Sequence, residues 1–130
     1  MTLNQYIKLK RGDKTSISRM MGECEKMLKK GCSLYFFPEG TRSKTGVIKP
    51  FKHGAFILAK KMKVPILIIA INGTKSALPK HSMGFHGRHD IRLEILGEIP
   101  YGEFSDLSVE ELAETVRQRI GEHVDEHVAA

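Results

Sequence analysis

The spacing of apolar residues predicts strands that alternate with helices. Alternating apolar and basic residues indicate a short strand over Tyr6–Lys10, with one face in water. A helix is predicted next, since apolar residues recur with a period of 3.6 at Ile17, Met20, Met21, Cys24, Met27 and Leu28. Asp13, Thr15 or Ser16 can cap its start, and Gly31 suits the left-handed position beyond its end.

The middle of the chain contains the most apolar segments. Cys32–Phe37 is short, apolar and aromatic, which predicts a buried strand that ends at Pro38. A largely buried helix is predicted from about His53 to Met62. Val64–Ile71 is uncharged and β-branched, as in a central parallel strand, and Asn72–Gly73 predicts a turn.

The last third contains a predicted loop over 74–89, a half-exposed strand over Asp90–Leu96 and a C-terminal helix. Ser108 and Glu111 fit a capping box, and Leu107 and Leu112 are placed as a hydrophobic staple. The buried stripe of this helix is predicted to comprise Val109, Leu112, Ala113, Val116, Ile120 and Val124. The order of elements predicts an α/β fold, with a mixed, mostly parallel sheet flanked by helices, in a single domain over residues 1–130.

Composition agrees with a folded chain, because 41% of residues are hydrophobic and 28% are charged. The run Val64–Ile71 is far shorter than the roughly 20 residues that cross a bilayer, so no membrane-spanning helix is predicted. The first residues also lack the apolar segment of a signal peptide. Cys24 and Cys32 give neither a disulfide framework nor a zinc spacing, and we expect both to be buried and reduced.

Charge is distributed unevenly along the chain. Residues 1–63 contain 15 Lys or Arg against 4 acidic residues, a net of +11, and residues 64–130 contain 6 against 11, a net of −5. The basic half predicts an anionic partner: nucleic acid, a membrane surface or a phosphorylated small molecule. A basic face that is merely solvated is the alternative. Nucleic acid is the weakest of these interpretations, since the chain has no known nucleic-acid motif or aromatic platform.

Two segments carry the most informative chemistry. Phe37–Ser43 follows a predicted strand, at the strand end where open α/β sheets usually bind ligands. Its Gly40 permits close approach of a ligand to the backbone, and Arg42 offers a fork that matches phosphate. In Lys49–Ala55, Lys52 lies at a helix start, which itself attracts anions. Together they form a candidate phosphate cradle, and the alternative is a Pro-Gly turn beside solvated lysines.

These segments resemble motifs of a known enzyme family. Phe37–Ser43, Phe51–Ala55 and Val64–Ile66, with Tyr6–Arg11 upstream, are similar in order and spacing to the glycerolipid acyltransferases, specifically those that act on 1-acylglycerol 3-phosphate. The resemblance covers about residues 5–100 and implies a glycerol-3-phosphate acyltransferase-like fold.

The resemblance also implies an activity. It is acyl transfer from acyl-CoA or acyl-carrier protein to the free hydroxyl of a 1-acylglycerol 3-phosphate, giving phosphatidate for phospholipid synthesis. The implied partners are the lysophospholipid acceptor, the acyl thioester donor and a membrane surface, with no nucleic acid, metal or further cofactor. The implied location is the cytoplasmic face of a membrane.

By position, the resemblance implies Arg11 and Arg42 as phosphate ligands, with Gly40 and Thr41 shaping their site. Lys52 matches a basic position of the next motif. A carboxylate beside a phosphate site would repel it. Glu39 is therefore expected to orient Arg42, the loop or a substrate hydroxyl.

The family's Asn-His-x-x-x-x-Asp block, which supplies the general base, has no match in the sequence. It is expected before Tyr6, so the chain is expected to be an N-terminally truncated acyltransferase domain with no catalytic residue of its own. His89 and Glu94 have the spacing, but they fall on opposite faces of a predicted strand. His53 next to Lys52 has no obvious carboxylate partner. The alternative function is a non-catalytic module that binds lipid phosphate or a membrane surface.

Overall fold

The computed structural model describes residues 14–41, 45–74 and 87–124. The predicted strand at 6–10, Asp13, and the loop residues 75–86 lie outside this range. The chain divides into two compact units, Met1–Phe36 and Phe37–Ala130. The prediction of a single domain stays a prediction.

The first unit contains helix α1, Lys14–Lys29. Cys24 is buried on it, and burial raises the pKa of its thiol. The amide of Cys32 donates to the carbonyl of Met27, and Gly31 adopts a φ of +84°, the geometry of a glycine-terminated helix. The predicted helix and its glycine stop are thus confirmed.

The second unit contains the other elements. Helix α2 spans Gly54–Met62, strand β1 Ile66–Asn72, strand β2 Arg92–Ile99, the short helix α3 Tyr101–Phe104 and helix α4 Val109–Gly121. Helices α2 and α4 and both strands lie close to their predicted positions. Among the described residues, no helix is both long and apolar enough to cross a bilayer.

The hydrophobic core of the second unit joins helices, sheet and loop. Phe104 and Leu112 are completely buried, and Phe104 packs edge-to-face on Tyr101 at 5.4 Å. The buried cluster comprises Ile48, Phe51, Phe56, Ala59, Ile68, Ile99, Phe104, Leu112, Ala113 and Val116. Val109, Ile120 and Val124 pack against it, so the predicted stripe of α4 is confirmed.

The two described strands pair antiparallel, with Ile66 opposite Ile99 and Asn72 opposite Arg92. The sequence predicts a mostly parallel sheet, whereas these two strands are antiparallel. The α/β class is confirmed. A bulge on β2 lies between the partners of Ile68 and Ile69, beside Gly97 with φ +120°. The extra residue shifts the alternation of buried and exposed side chains along β2. Ile99 therefore lies in the core, while Ile95 is 63% exposed.

The prediction of a buried strand at Cys32–Phe37 is wrong. The segment is irregular in the structure, and its aromatic side chains are exposed, with 58% exposure for Tyr35 and 71% for Phe37. Cys32 is exposed as well, against expectation. An apolar run shows β-propensity, but strand formation depends on a neighbour that completes the hydrogen-bond ladder, which local composition cannot specify.

The first turn of α4 forms the predicted capping box. The Ser108 hydroxyl accepts from the amide of Glu111 at 3.1 Å, and the Glu111 carboxylate accepts from the amide of Ser108 at 2.8 Å. The second hydrogen bond is the main cause that lowers the pKa of Glu111 below its ordinary 4.5. The ionised carboxylate therefore stabilises the start of the helix.

We expect Glu111→Gln to lower the melting temperature at about pH 7 but not at about pH 3. Glutamine can complete a capping box, so the substitution removes mainly the charge. Because folding lowers the pKa of Glu111, its contribution is present above the unfolded-state pKa and is lost as pH falls through the folded-state value. Thermal unfolding followed by circular dichroism measures the difference. Exposed Glu98→Gln is the control, and a Glu111→Gln deficit that is independent of pH would contradict the expectation.

Candidate functional site

The candidate site is built from two loop segments that meet in the second unit. The first is the turn 37–41, in which the amide of Gly40 donates to the carbonyl of Phe37 at 3.0 Å. The second is the segment 48–53, which leads into α2. Ile48 and Phe51 anchor it, each 8% exposed, and the Phe51 ring stacks on Phe56 of α2 with centroids 6.3 Å apart.

Two hydrogen bonds join these segments. The amide of Lys52 donates to the carbonyl of Pro38 at 2.8 Å. The amide of Lys49 donates to Oε2 of Glu39 at 3.1 Å. A backbone amide that binds a carboxylate makes a charge-assisted contact, which is stronger than one between neutral groups. These two hydrogen bonds hold the tip of the turn against the segment that leads into α2.

Gly40 brings the two segments into direct contact. Its φ is +71°, and a Cβ placed on it would lie 2.7 Å from Cε and 3.1 Å from Cδ of Lys52. The hydrocarbon stem of Lys52 thus lies across the bare backbone of the turn, while the residue remains exposed to solvent. A cation is in this way positioned beside the turn and at the start of a helix, where anions bind favourably.

The structure brings together some of the predicted site residues. Glu39, Gly40 and Lys52 come together, and Thr41 is an exposed neighbour. Arg42 and Arg11 lie outside the described residues. For Glu39, the contact with Lys49 corresponds to the second of its three predicted roles, orientation of the loop. The roles of all six residues stay predictions.

Sequence reasoning missed one contact at this site. His53 is the N-cap residue of α2, although its side chain makes no capping hydrogen bond. Its Nδ1 lies 3.8 Å from Oε1 of Glu110, in the first turn of α4. The expectation that His53 has no carboxylate partner is therefore wrong. Glu110 lies far along the chain, and no local pattern connects the two residues.

Over the described ranges, no group of three or more His, Cys, Asp or Glu side chains is arranged to hold a metal ion.

Comparison with known proteins gives a consistent match. Residues 1–72 match the family described as Acyltransferase. The chain is 39% identical, over 96% of its length, to a chloroplastic 1-acyl-sn-glycerol-3-phosphate acyltransferase of Brassica napus, of which it covers 35%. It is 35% identical, over 72% of its length, to the 1-acyl-sn-glycerol-3-phosphate acyltransferase of Saccharomyces cerevisiae, of which it covers 34%.

A solved structure is also similar. The 1-acyl-sn-glycerophosphate acyltransferase PlsC of Thermotoga maritima superposes with a TM-score of 0.71 and 34% identity, over 81% of this chain and 42% of that one. The chain therefore spans about a third of the length of these two curated relatives and less than half of the solved one.

We expect Gly40→Ala to destabilise the second unit by about 1–2 kcal/mol. The positive φ causes most of this cost, because the Lys52 stem is flexible and can move away from the new methyl group. Urea denaturation measures it. Helical Gly102→Ala is the matched control, since no atom lies within 4 Å of an added Cβ there. In the Gly40→Ala protein, a second substitution, Lys52→Ala, separates the two causes of destabilisation. It removes the steric contact with the lysine stem and leaves the positive φ unchanged. A Gly40→Ala protein as stable as the wild type would contradict the described turn.

Proposed function

We propose that the chain, which belongs to the acyltransferase family, binds a 1-acylglycerol 3-phosphate and takes part in its acylation to phosphatidate. The acyl donor in this proposal is a thioester, acyl-CoA or acyl-carrier protein. The acceptor hydroxyl oxygen bonds to the thioester carbonyl carbon, the carbon–sulfur bond breaks, and the hydroxyl proton ends on the released thiol. No further cofactor is invoked.

The contact of Lys52 with Gly40 is the observation that carries the proposal. It supports an anion site because it holds an exposed ammonium group beside a turn and a helix start. Arg42 follows the turn directly in sequence, and its guanidinium group is suited to bidentate phosphate binding. We assign Lys52 and Arg42 to the acceptor phosphate, and Arg11 to the same role on the family resemblance.

Positioning is the contribution that these residues make to the reaction. Fixing the phosphate orients the acceptor, so that its hydroxyl is presented to the thioester at close range. Glu39 supports this by holding the backbone of Lys49, with its negative charge directed at an amide. The proposed roles of these residues are therefore binding and orientation, since none of them belongs to the family's His–Asp base block.

A membrane surface is the proposed setting, at its cytoplasmic face. The acceptor is a lipid, and the excess of basic residues in 1–63 favours attraction to anionic headgroups.

We expect Lys52→Met and Arg42→Ala each to weaken acceptor recognition by roughly tenfold or more, because each loses a charge-assisted contact. Acyl transfer from acyl-CoA to 1-acylglycerol 3-phosphate is followed by thiol release. Acceptor binding is measured in parallel by calorimetry, with unphosphorylated 1-acylglycerol as the comparison ligand.

Lys61→Met and Arg88→Ala are the matched controls, since both replace exposed basic residues of the second unit that lie outside the two site segments. Phosphate-dependent binding with thiol release supports the full proposal. Binding without thiol release would favour the alternative, a non-catalytic module for lipid phosphate. No phosphate-dependent binding by the wild-type chain would refute the proposal.

A further inference from the structure

A histidine–carboxylate pair lies at the edge of the candidate site and has no assigned role. Nδ1 of His53 is 3.8 Å from Oε1 of Glu110, and their side chains are 44% and 72% exposed. His53 directly follows Lys52, whose stem covers Gly40. The pair therefore connects the start of α4 to the segment that holds the candidate phosphate site.

The neighbouring carboxylates on α4 have other partners. Glu111 completes the capping box with Ser108, and Glu114 binds Arg117 through two hydrogen bonds of 2.7 and 2.8 Å. Glu110 lies instead near the imidazole of His53 on another helix. Its charge in the first turn of α4 is also favourable to the dipole of that helix. A carboxylate on this turn is thus directed at a side chain of the candidate site.

The two imidazole nitrogens of His53 have different surroundings. Glu110 lies within ion-pair distance on the Nδ1 side, and a carboxylate on that side favours a ring orientation that leaves the other nitrogen, Nε2, for a ligand. The N-cap position adds to this, because the His53 side chain makes no capping bond to its own helix. Neither nitrogen is therefore required for the start of α2.

We infer that His53 is a further binding residue for the acceptor phosphate and that Glu110 is its positioning residue. The inference rests on the proposed function, and it adds to the cation supplied by Lys52 an imidazolium at His53, whose Nε2–H donates to the phosphate while its Nδ1–H faces Glu110. Glu110 acts only through His53, which sets the orientation of the imidazole. Recognition of the phosphate then depends on α4 as well as on the two loop segments.

The test measures KM and kcat for 1-acylglycerol 3-phosphate with the full chain, together with the dissociation constant of the same acceptor. We expect His53→Ala to raise KM and the dissociation constant by about tenfold, and Glu110→Gln by up to about fivefold, with kcat unchanged. In the His53→Ala background, Glu110→Gln should have no further effect, because the carboxylate then has nothing to position. Binding of unphosphorylated 1-acylglycerol should not change.

His123→Ala is the matched control. His123 also pairs through Nδ1 with a glutamate, Glu94, at 3.3 Å, and its side chain is as exposed as that of His53, but it lies beyond the other end of α4. Its substitution should leave KM unchanged. Circular dichroism of each variant shows whether the fold is retained.

Three results would overturn the inference. They are a KM within twofold of wild type for His53→Ala, an equal effect of Glu110→Gln with and without His53, or equal losses for phosphorylated and unphosphorylated acceptors. If the wild-type chain still shows phosphate-dependent binding, these results overturn only the inference, and the proposed function is retained. Absence of that binding in the wild type refutes the proposed function and the inference with it.

Discussion

The burial of Ile48 and Phe51 in the core of the second unit is the constraint on which the candidate site depends. Both side chains are nearly inaccessible, and Phe51 stacks on the ring of Phe56 in α2. The backbone that joins them is therefore fixed relative to the helix. Lys49 and Lys52 lie on this segment, so their amides are held where they bind Glu39 and Pro38. The shape of the turn is a consequence of core packing as much as of its own sequence.

Features that depend on neighbours in sequence could be predicted from the sequence. The capping box of α4 needs only Ser108 and a glutamate three residues later, and both hydrogen bonds form. Gly31 and Gly73 adopt positive φ angles at the predicted ends of a helix and a strand. At Gly73 a side chain is excluded outright, because a Cβ would lie 2.2 Å from the carbonyl oxygen of Asp90. Local rules are sufficient where both partners are local.

Features that depend on partners distant in the sequence could not be predicted in this way. The apolar pattern of β2 predicts alternation, but the bulge beside Gly97 changes which residues face the core. The same limit applies to His53 and Glu110, which meet only because α2 and α4 pack together. Lys60 of α2 likewise donates to the carbonyl of Leu107, just before α4. Each of these contacts is determined by tertiary packing, which cannot be read directly from a single sequence.

At Gly40, the sequence indicates that another group can approach the backbone closely, and the structure shows one such group. Its missing side chain was expected to admit a ligand, whereas in the structure it admits the stem of Lys52. This difference changes how a cation is presented. A lysine on an open surface loses side-chain entropy when it binds an anion, but a stem already in contact with the turn has fewer conformations to lose. Close approach at Gly40 therefore supports the proposed anion site indirectly, through the lysine that it positions.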